Sequence, residues 1–450
     1  MSNKFKLLWV VCSGLVVSPA ATAVDLVGVH DLALKSDPRL QAAEYRREAT
    51  AENKTQAWAN LLPQLSASGS WSKGNVKTTI PELDFTDTKT KASRNYGLSL
   101  RQSLYNQANY EQLDVARGQI SQAEAIYQIA FLDFLLRVSD SYFIVLTLMD
   151  GVIFAEAEEL ALKRQYEQAE QRFEVGLTAV TDVHEAKASY DNARARAIVA
   201  RNNLANAKEE LRVLTGVYFE EFDALREVLP LVEPDPFDAN RWVEIALSNN
   251  PNVVASRAAV EIADSNMRLV RTGHFPTLDL VATYSDFQNS KFIIRDDFQQ
   301  PLTRTDLGVD DTTVQLQLNI PIYSGGVVSS RTRQARFLMD ATGQDLDDVQ
   351  RVTVRETQNA FRTILAGIQE VQAFEQARIS AESALEATQA GFEVGTRTIV
   401  DVLIAQQRKF QAQRDNSVAR HAYILSHLRL KSIAGLLTSE DLRVVNQLLE

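Results

Sequence analysis

The sequence predicts a mainly α-helical chain with four β-strands, laid out as two copies of one half. Three observations carry that reading. Phe173-Glu174-Val175-Gly176 recurs as Phe392-Glu393-Val394-Gly395, residues 173–216 align with 392–435 without a gap, and Pro38, Pro63 and Tyr105 have counterparts in order at Pro251, Pro276 and Tyr323. A repeat of this length is a duplicated half and no solenoid unit. Behind Pro63, and again behind Pro276, apolar and polar residues alternate, which is the period-2 signal of strands. Each pair of strands is followed by a stretch of roughly 65 residues almost free of glycine and proline, with apolar positions three and four apart, which marks a long amphipathic helix on the order of 100 Å.

Taken in order, Lys4 and Lys6 precede the apolar run Leu7 to Val17 and the small residues Ala21-Thr22-Ala23, so residues 1–23 read as a removed secretory signal. The only cysteine, Cys12, sits inside that run behind Trp9-Val10-Val11, a poor match to a lipidation box. Without its leader the chain would have no thiol for a disulfide or a metal. Residues 24–62 predict helix, restarting at Asp37-Pro38. In 63–105, Leu65, Ala67, Gly69 and Trp71 alternate with Gln64, Ser66, Ser68 and Ser70. The polar stretch Lys73 to Arg94 reads as a loop, and Tyr96, Leu98, Leu100 and Leu104 mark a second strand of about ten residues. Residues 106–216 predict the first helical hairpin, with Tyr127, Phe131, Phe134, Val138, Tyr142, Val145 and Met149 as its inner stripe. Gly176 turns it and Gly216 ends the returning helix. Residues 217–240, holding Pro230, Pro234 and Pro236, read as a connector. The second copy gives helix over 241–275 and a strand pair over 276–323. That pair is marked by Leu278, Leu280, Ala282 and Tyr284, then Val314, Leu316, Leu318 and Ile320, with a long polar loop between. A hairpin over 324–435 follows, turning at Gly395 with Phe361, Ile364, Ile368 and Val371 inside, and 436–450 predicts one short helix.

Composition and spacing exclude several classes. A formal net charge of −11, with scattered arginine, argues against nucleic acid as a partner. The best candidate for a membrane helix, Phe131 to Met149, carries Asp133, Arg137 and Asp140, which hydrocarbon penalises heavily. Any membrane crossing must therefore use the strands. Their alternation alone fits a soluble sandwich face as well as an outer-membrane barrel wall. Four strands cannot close a barrel, because the smallest membrane barrels have eight, so several chains would have to share one. No nucleophile elbow, phosphate loop, zincin motif or dinucleotide fingerprint is present, and no enzyme activity or cofactor is expected. His421 and His427 are not on one helical face as i and i+4, so no metal pair is expected either.

Asp182 and Asp401 fall in the first turns of the returning helices. Acidic residues there complement the helix dipole, and Thr398 with Asp401 has capping-box spacing. That accounts for both carboxylates but leaves unexplained why one string recurs at both turns, with Arg397 added in the second. Arg172-Phe173-Glu174-Val175-Gly176-Leu177 with Thr181-Asp182-Val183, and Val394 through Leu403, carry a close resemblance to the TolC family of outer-membrane efflux proteins, and to its TolC branch more than to the lipidated one. Ala200-Arg201-Asn202-Asn203-Leu204, His274-Phe275-Pro276-Thr277-Leu278 and Ile320-Pro321-Ile322-Tyr323-Ser324-Gly325-Gly326 extend the resemblance over nearly the whole chain.

The resemblance implies a homotrimer whose twelve strands share one outer-membrane barrel and whose hairpins form a periplasmic tunnel. It implies passive export of small molecules such as drugs and toxins, with proteins as a further cargo, driven by an inner-membrane pump of the RND, ABC or MFS type through a periplasmic adaptor (membrane fusion) protein. Arg397 would bond across to Thr181 and Asp182 and, with Phe392, latch the entrance. Asp401 would form an acidic ring that narrows the pore and binds cations. The tips Val175, Gly176 and Leu177, and Val394, Gly395 and Thr396, would dock the adaptor. Two residues depart from the best-known members: Phe392 stands where they have an aromatic hydroxyl, and Ile404 where they have a second aspartate. One latch bond would be lost and the cation site weakened. The competing reading is a periplasmic coiled-coil adaptor or structural protein, which would share the helices but need no membrane-ready strands.

Overall fold

The computed structural model describes residues 23–80, 85–295 and 301–450. The signal-peptide reading of residues 1–23 lies, up to residue 22 and with Cys12 included, outside the described residues. The elements are α1 (Leu26–Ser36), α2 (Pro38–Ala59), β1 (Gln64–Ile80), β2 (Phe85–Tyr105), α3 (Gln107–Glu174), α4 (Val180–Thr215), α5 (Ala239–Asn249), α6 (Pro251–Arg271), β3 (Thr277–Arg295), β4 (Pro301–Asn319), α7 (Val327–Glu393), α8 (Ile399–Ile433) and α9 (Ser439–Asn446). They fall into two compact units. One holds residues 42–130 and 245–355, the other the described part of 1–41 together with 131–244 and 356–450.

The first of these units carries the sheet. Its four strands lie in the order β1-β2-β3-β4, each pair antiparallel. Register puts Leu65 opposite Leu100, Leu100 opposite Ala282, and Ala282 opposite Val314. The next row is Ala67, Leu98, Tyr284 and Thr312. Side chains two apart share a face, so Leu65, Leu98, Leu100, Ala282, Val314 and Leu316 build one apolar face, while serines, threonines and glutamines build the other. Ser66 and Ser99 hydrogen-bond across the polar face at 2.6 Å. The apolar face is uncovered: Leu65 is 73% exposed and Val314 69%. Trp71, Tyr96 and Tyr284 stand near one margin of that face, as aromatic girdles do at a membrane boundary. The strands are longer than the sequence suggests. Residues 73–80 and 85–94, read above as loop, continue β1 and β2, and the polar stretch between Ser285 and Thr313 is mostly β3 and β4. Main-chain pairing does not need an apolar face, so a strand leaving the hydrophobic zone loses its alternation and keeps its ladder. In the same unit α3 approaches α6 closely at Gly118, where a Cβ would stand 2.8 Å from Ile262.

The other unit packs on α3. Phe134, Leu135, Val138, Tyr142, Phe143 and Val145 are fully buried, together with Leu26 and Val29 of α1. Tyr142 donates its hydroxyl toward the carbonyls of Val24 and Asp223, at 3.1 and 3.0 Å. This is the centre of the stripe that the spacing predicts. Ile364 is likewise fully buried on α7. No helix among the described residues is long and apolar enough to cross a membrane.

A candidate gate at the hairpin tips

Both hairpins turn by the same local chemistry. Gly176 has φ 74° and Gly395 φ 79°, a conformation that side chains disfavour. Gly176 donates to Phe173 and Leu177 to Arg172, at 2.9 and 2.8 Å; Gly395 donates to Phe392 and Thr396 to Gly391, at 3.1 and 2.8 Å. These paired bonds are the Schellman closure of a helix end. The Thr396 hydroxyl also donates to the Gly391 carbonyl at 3.0 Å. The returning helices start differently. Thr398 and Asp401 form a complete capping box: the Thr398 N–H donates to Asp401 Oδ2 at 2.9 Å and the Asp401 N–H to Thr398 Oγ1 at 3.3 Å. In the first hairpin Ala179 holds the cap position and gives no side-chain bond, and the Thr178 hydroxyl donates to Asp182 instead.

Electrostatics at the second tip follow from that cap. The Thr398 N–H and hydroxyl hold the Asp401 carboxyl below the usual carboxylate range, with the nearby Arg397 charge adding to the effect. Arg397 itself is exposed. A Cβ at Gly391 would come within 2.8 Å of Arg397 Cγ, so the glycine leaves room for the arginine stem to lie along the helix end. Within one chain, Arg397 forms no ion pair among the described residues, and it does not meet Thr181, which is exposed, or Asp182. The predicted latch partners are thus not brought together by one chain. Val175, Leu177 and Val394 are 69%, 76% and 75% exposed, three apolar side chains held out at the turns.

Phe392 packs inward. It lies against a cluster of Leu162, Ala169, Ala186, Ala193, Ile399 and Leu403, so the two hairpins touch through small and branched apolar residues near the tips. The Arg172 guanidinium stacks over the Phe392 ring at 4.8 Å, a cation–π contact between α3 and α7. Further along, α8 is tied to α3 by polar bonds. Arg429 reaches Asp140 at 3.1 Å, His421 and Thr147 share a hydrogen bond of 2.8 Å, Ser417 donates to Asp150, and Arg414 reaches Glu158 at 3.2 Å. Sequence reasoning missed Arg172 and Glu158. Arg172 stands beside the repeated string, which could have flagged it, whereas Glu158 lies in a run of acids that looks like any solvated helix face.

No group of metal-ligating side chains occurs among the described residues. What the arrangement offers is two matched, exposed turns, a cation and carboxylates near them, and a sheet with an uncovered apolar face. Comparison with known proteins agrees with that picture. The family described as "Outer membrane efflux protein" matches residues 29–217 and 242–436. The outer membrane protein TolC of Vibrio cholerae serotype O1 is 35% identical over 96% of this chain and 95% of its own length. The alkaline protease secretion protein AprF of Pseudomonas aeruginosa is 29% identical over 96% of this chain and 88% of its own. Among solved structures, the fold of the CusC channel superposes with a TM-score of 0.76 at 17% identity, covering 92% of both chains. The chain belongs to the outer membrane efflux protein family and is an outer-membrane channel protein of the TolC type.

Proposed function

We propose that three copies assemble into one export duct, with twelve strands closing a barrel in the outer membrane and the hairpins lining a tunnel in the periplasm. The observation that carries this is the sheet: it has an apolar face open to its surroundings and two edges, β1 and β4, with no strand partner among the described residues. Unpaired edges cannot stay in hydrocarbon, so neighbouring copies must supply the missing ladders.

The tips form the periplasmic entrance in this reading. Arg397 forms no ion pair among the described residues of its own chain, and in this reading its bond to Thr181 and Asp182 is made across to a neighbouring copy. Three such charge-assisted bonds, each worth roughly 1.5–3 kcal/mol, hold a ring shut yet yield to a docking partner. Three Asp401 carboxylates around the pore repel one another and attract cations. Phe392 contributes the contact with Arg172 in place of a hydrogen bond. A periplasmic adaptor docks on the exposed tips, and an inner-membrane pump supplies the energy. The cargo is small molecules such as drugs and toxins, and the relation to AprF, a protease secretion protein by name, supports protein export as well. Fractionation tests the assembly: the protein should appear in the outer membrane, and its detergent-extracted mass should be that of three chains. Recovery as a soluble periplasmic protein would favour an adaptor or structural role.

A further inference from the structure

Glu158 is 0% exposed, yet it is a carboxylate on a long helix. Arg196 of α4 donates to its Oε1 at 2.8 Å and Arg414 of α8 to its Oε2 at 3.2 Å. The carboxylate is enclosed while both guanidiniums keep part of their surface in water, 42% and 30% of the side chain. An enclosed anion with one partner removed is left uncompensated, so both arginines are held to it. The position is as informative as the chemistry. Away from the tips, α8 is bound to α3 by Ser417 with Asp150, His421 with Thr147 and Arg429 with Asp140. On the tip side of Glu158, among the described residues, no hydrogen bond or ion pair joins α8 to α3 or α4. Only the apolar cluster of Leu162, Ala169, Ala186, Ala193, Ile399 and Leu403 remains there. Apolar contacts between small side chains slide at little cost, whereas directional charged bonds do not.

From this juxtaposition we infer that Glu158 is a positioning residue for gating: with Arg196 and Arg414 it pins α8 to the first hairpin and sets the pivot for opening. The free arm is the roughly 27 Å of helix between Glu158 and Gly176 on α3, and a similar length from Arg414 back to Gly395 on α8. The pivot rests on the reading of the tips as a gate, whereas the tie itself does not.

Cysteine labelling of the purified, assembled protein separates the two. Ala186→Cys reports the seam on the tip side, and Ala419→Cys reports α8 beyond the pivot; both sites are buried and neither side chain makes a hydrogen bond. With Arg397→Ala as the opening perturbation, Ala186→Cys should react with maleimide about tenfold faster and Ala419→Cys at its original rate. Equal acceleration at both sites would overturn the pivot. With Arg397 intact, Glu158→Gln should accelerate Ala419→Cys by about tenfold, the scale of one lost charge-assisted bond. An unchanged rate would overturn the tie even if Arg397→Ala behaves as a gate mutant. No acceleration anywhere with Arg397→Ala, but acceleration with Glu158→Gln, would remove the latch and keep the tie. Arg414→Gln, which leaves the Arg196 bond in place, gives the same readout if Glu158→Gln fails to assemble.

Discussion

A charge placed on the sheet tells its two faces apart. Val314 sits in the middle row of the apolar face, opposite Ala282 and in line with Leu100 and Leu65, and is 69% exposed. Gln315, one residue on, pairs with Val281 and points to the opposite face. If the apolar face meets lipid, Val314→Arg puts a guanidinium near the bilayer midplane at a cost of about 2–4 kcal/mol per copy. For the proposed barrel of three copies the total would be roughly 6–12 kcal/mol, comparable with the whole stability of a typical domain. Gln315→Arg faces water in the lumen and should cost less than about 1 kcal/mol. The assay is refolding into lipid vesicles across a urea series, read by the gel mobility of the folded barrel. Val314→Arg should fail to insert or shift its midpoint strongly, while Gln315→Arg tracks the parent chain. Equal behaviour of the two variants would refute the lipid-facing assignment, and a reversed order would turn the sheet inside out.

Three further expectations follow from the helical unit. Gly395→Ala should destabilise the second tip by about 1–2 kcal/mol, because φ is 79° and no neighbouring atom could compensate; hydrogen exchange at residues 391–398 measures it. Burial pushes the His421 imidazole from 6.5 down to about 4, so protons favour the unfolded chain: stability is complete above pH 6.5 and is lost as pH falls toward 4. The effect is worth at most about 3 kcal/mol, and His421→Asn should flatten the loss of melting temperature between pH 7.5 and 5. Asp401→Asn should reduce channel block by divalent cations, and in the parent chain that block should persist below the ordinary carboxylate range, since the cap lowers the Asp401 pKa. Block that is unchanged in the variant would place the cation site elsewhere.

The parts of this architecture that arise locally were legible in the sequence. Gly176 and Gly395 end their helices because only a left-handed residue closes a Schellman turn, and Thr398 with Asp401 forms the box its spacing implies. The buried stripe from Phe134 to Val145 follows from helical periodicity alone. The polar halves of the strands were not legible, because neither of their faces is required to be apolar, and ladder bonds leave no trace in side-chain pattern. Arg172 over Phe392 and the two arginines on Glu158 were hidden for a different reason: each contact joins helices far apart in the chain, and no local spacing encodes it. The predicted latch partners Arg397, Thr181 and Asp182 form no bond with one another among the described residues, so nothing in the local sequence or within one chain's packing could have paired them.

Single-channel conductance of the purified protein in a planar bilayer, compared with Arg397→Ala, tests the central claim most directly. A small, mostly closed conductance that grows in the variant is the predicted result. Inserted trimers whose conductance is the same with and without Arg397 would contradict the latch, and a chain that never inserts would contradict the duct itself.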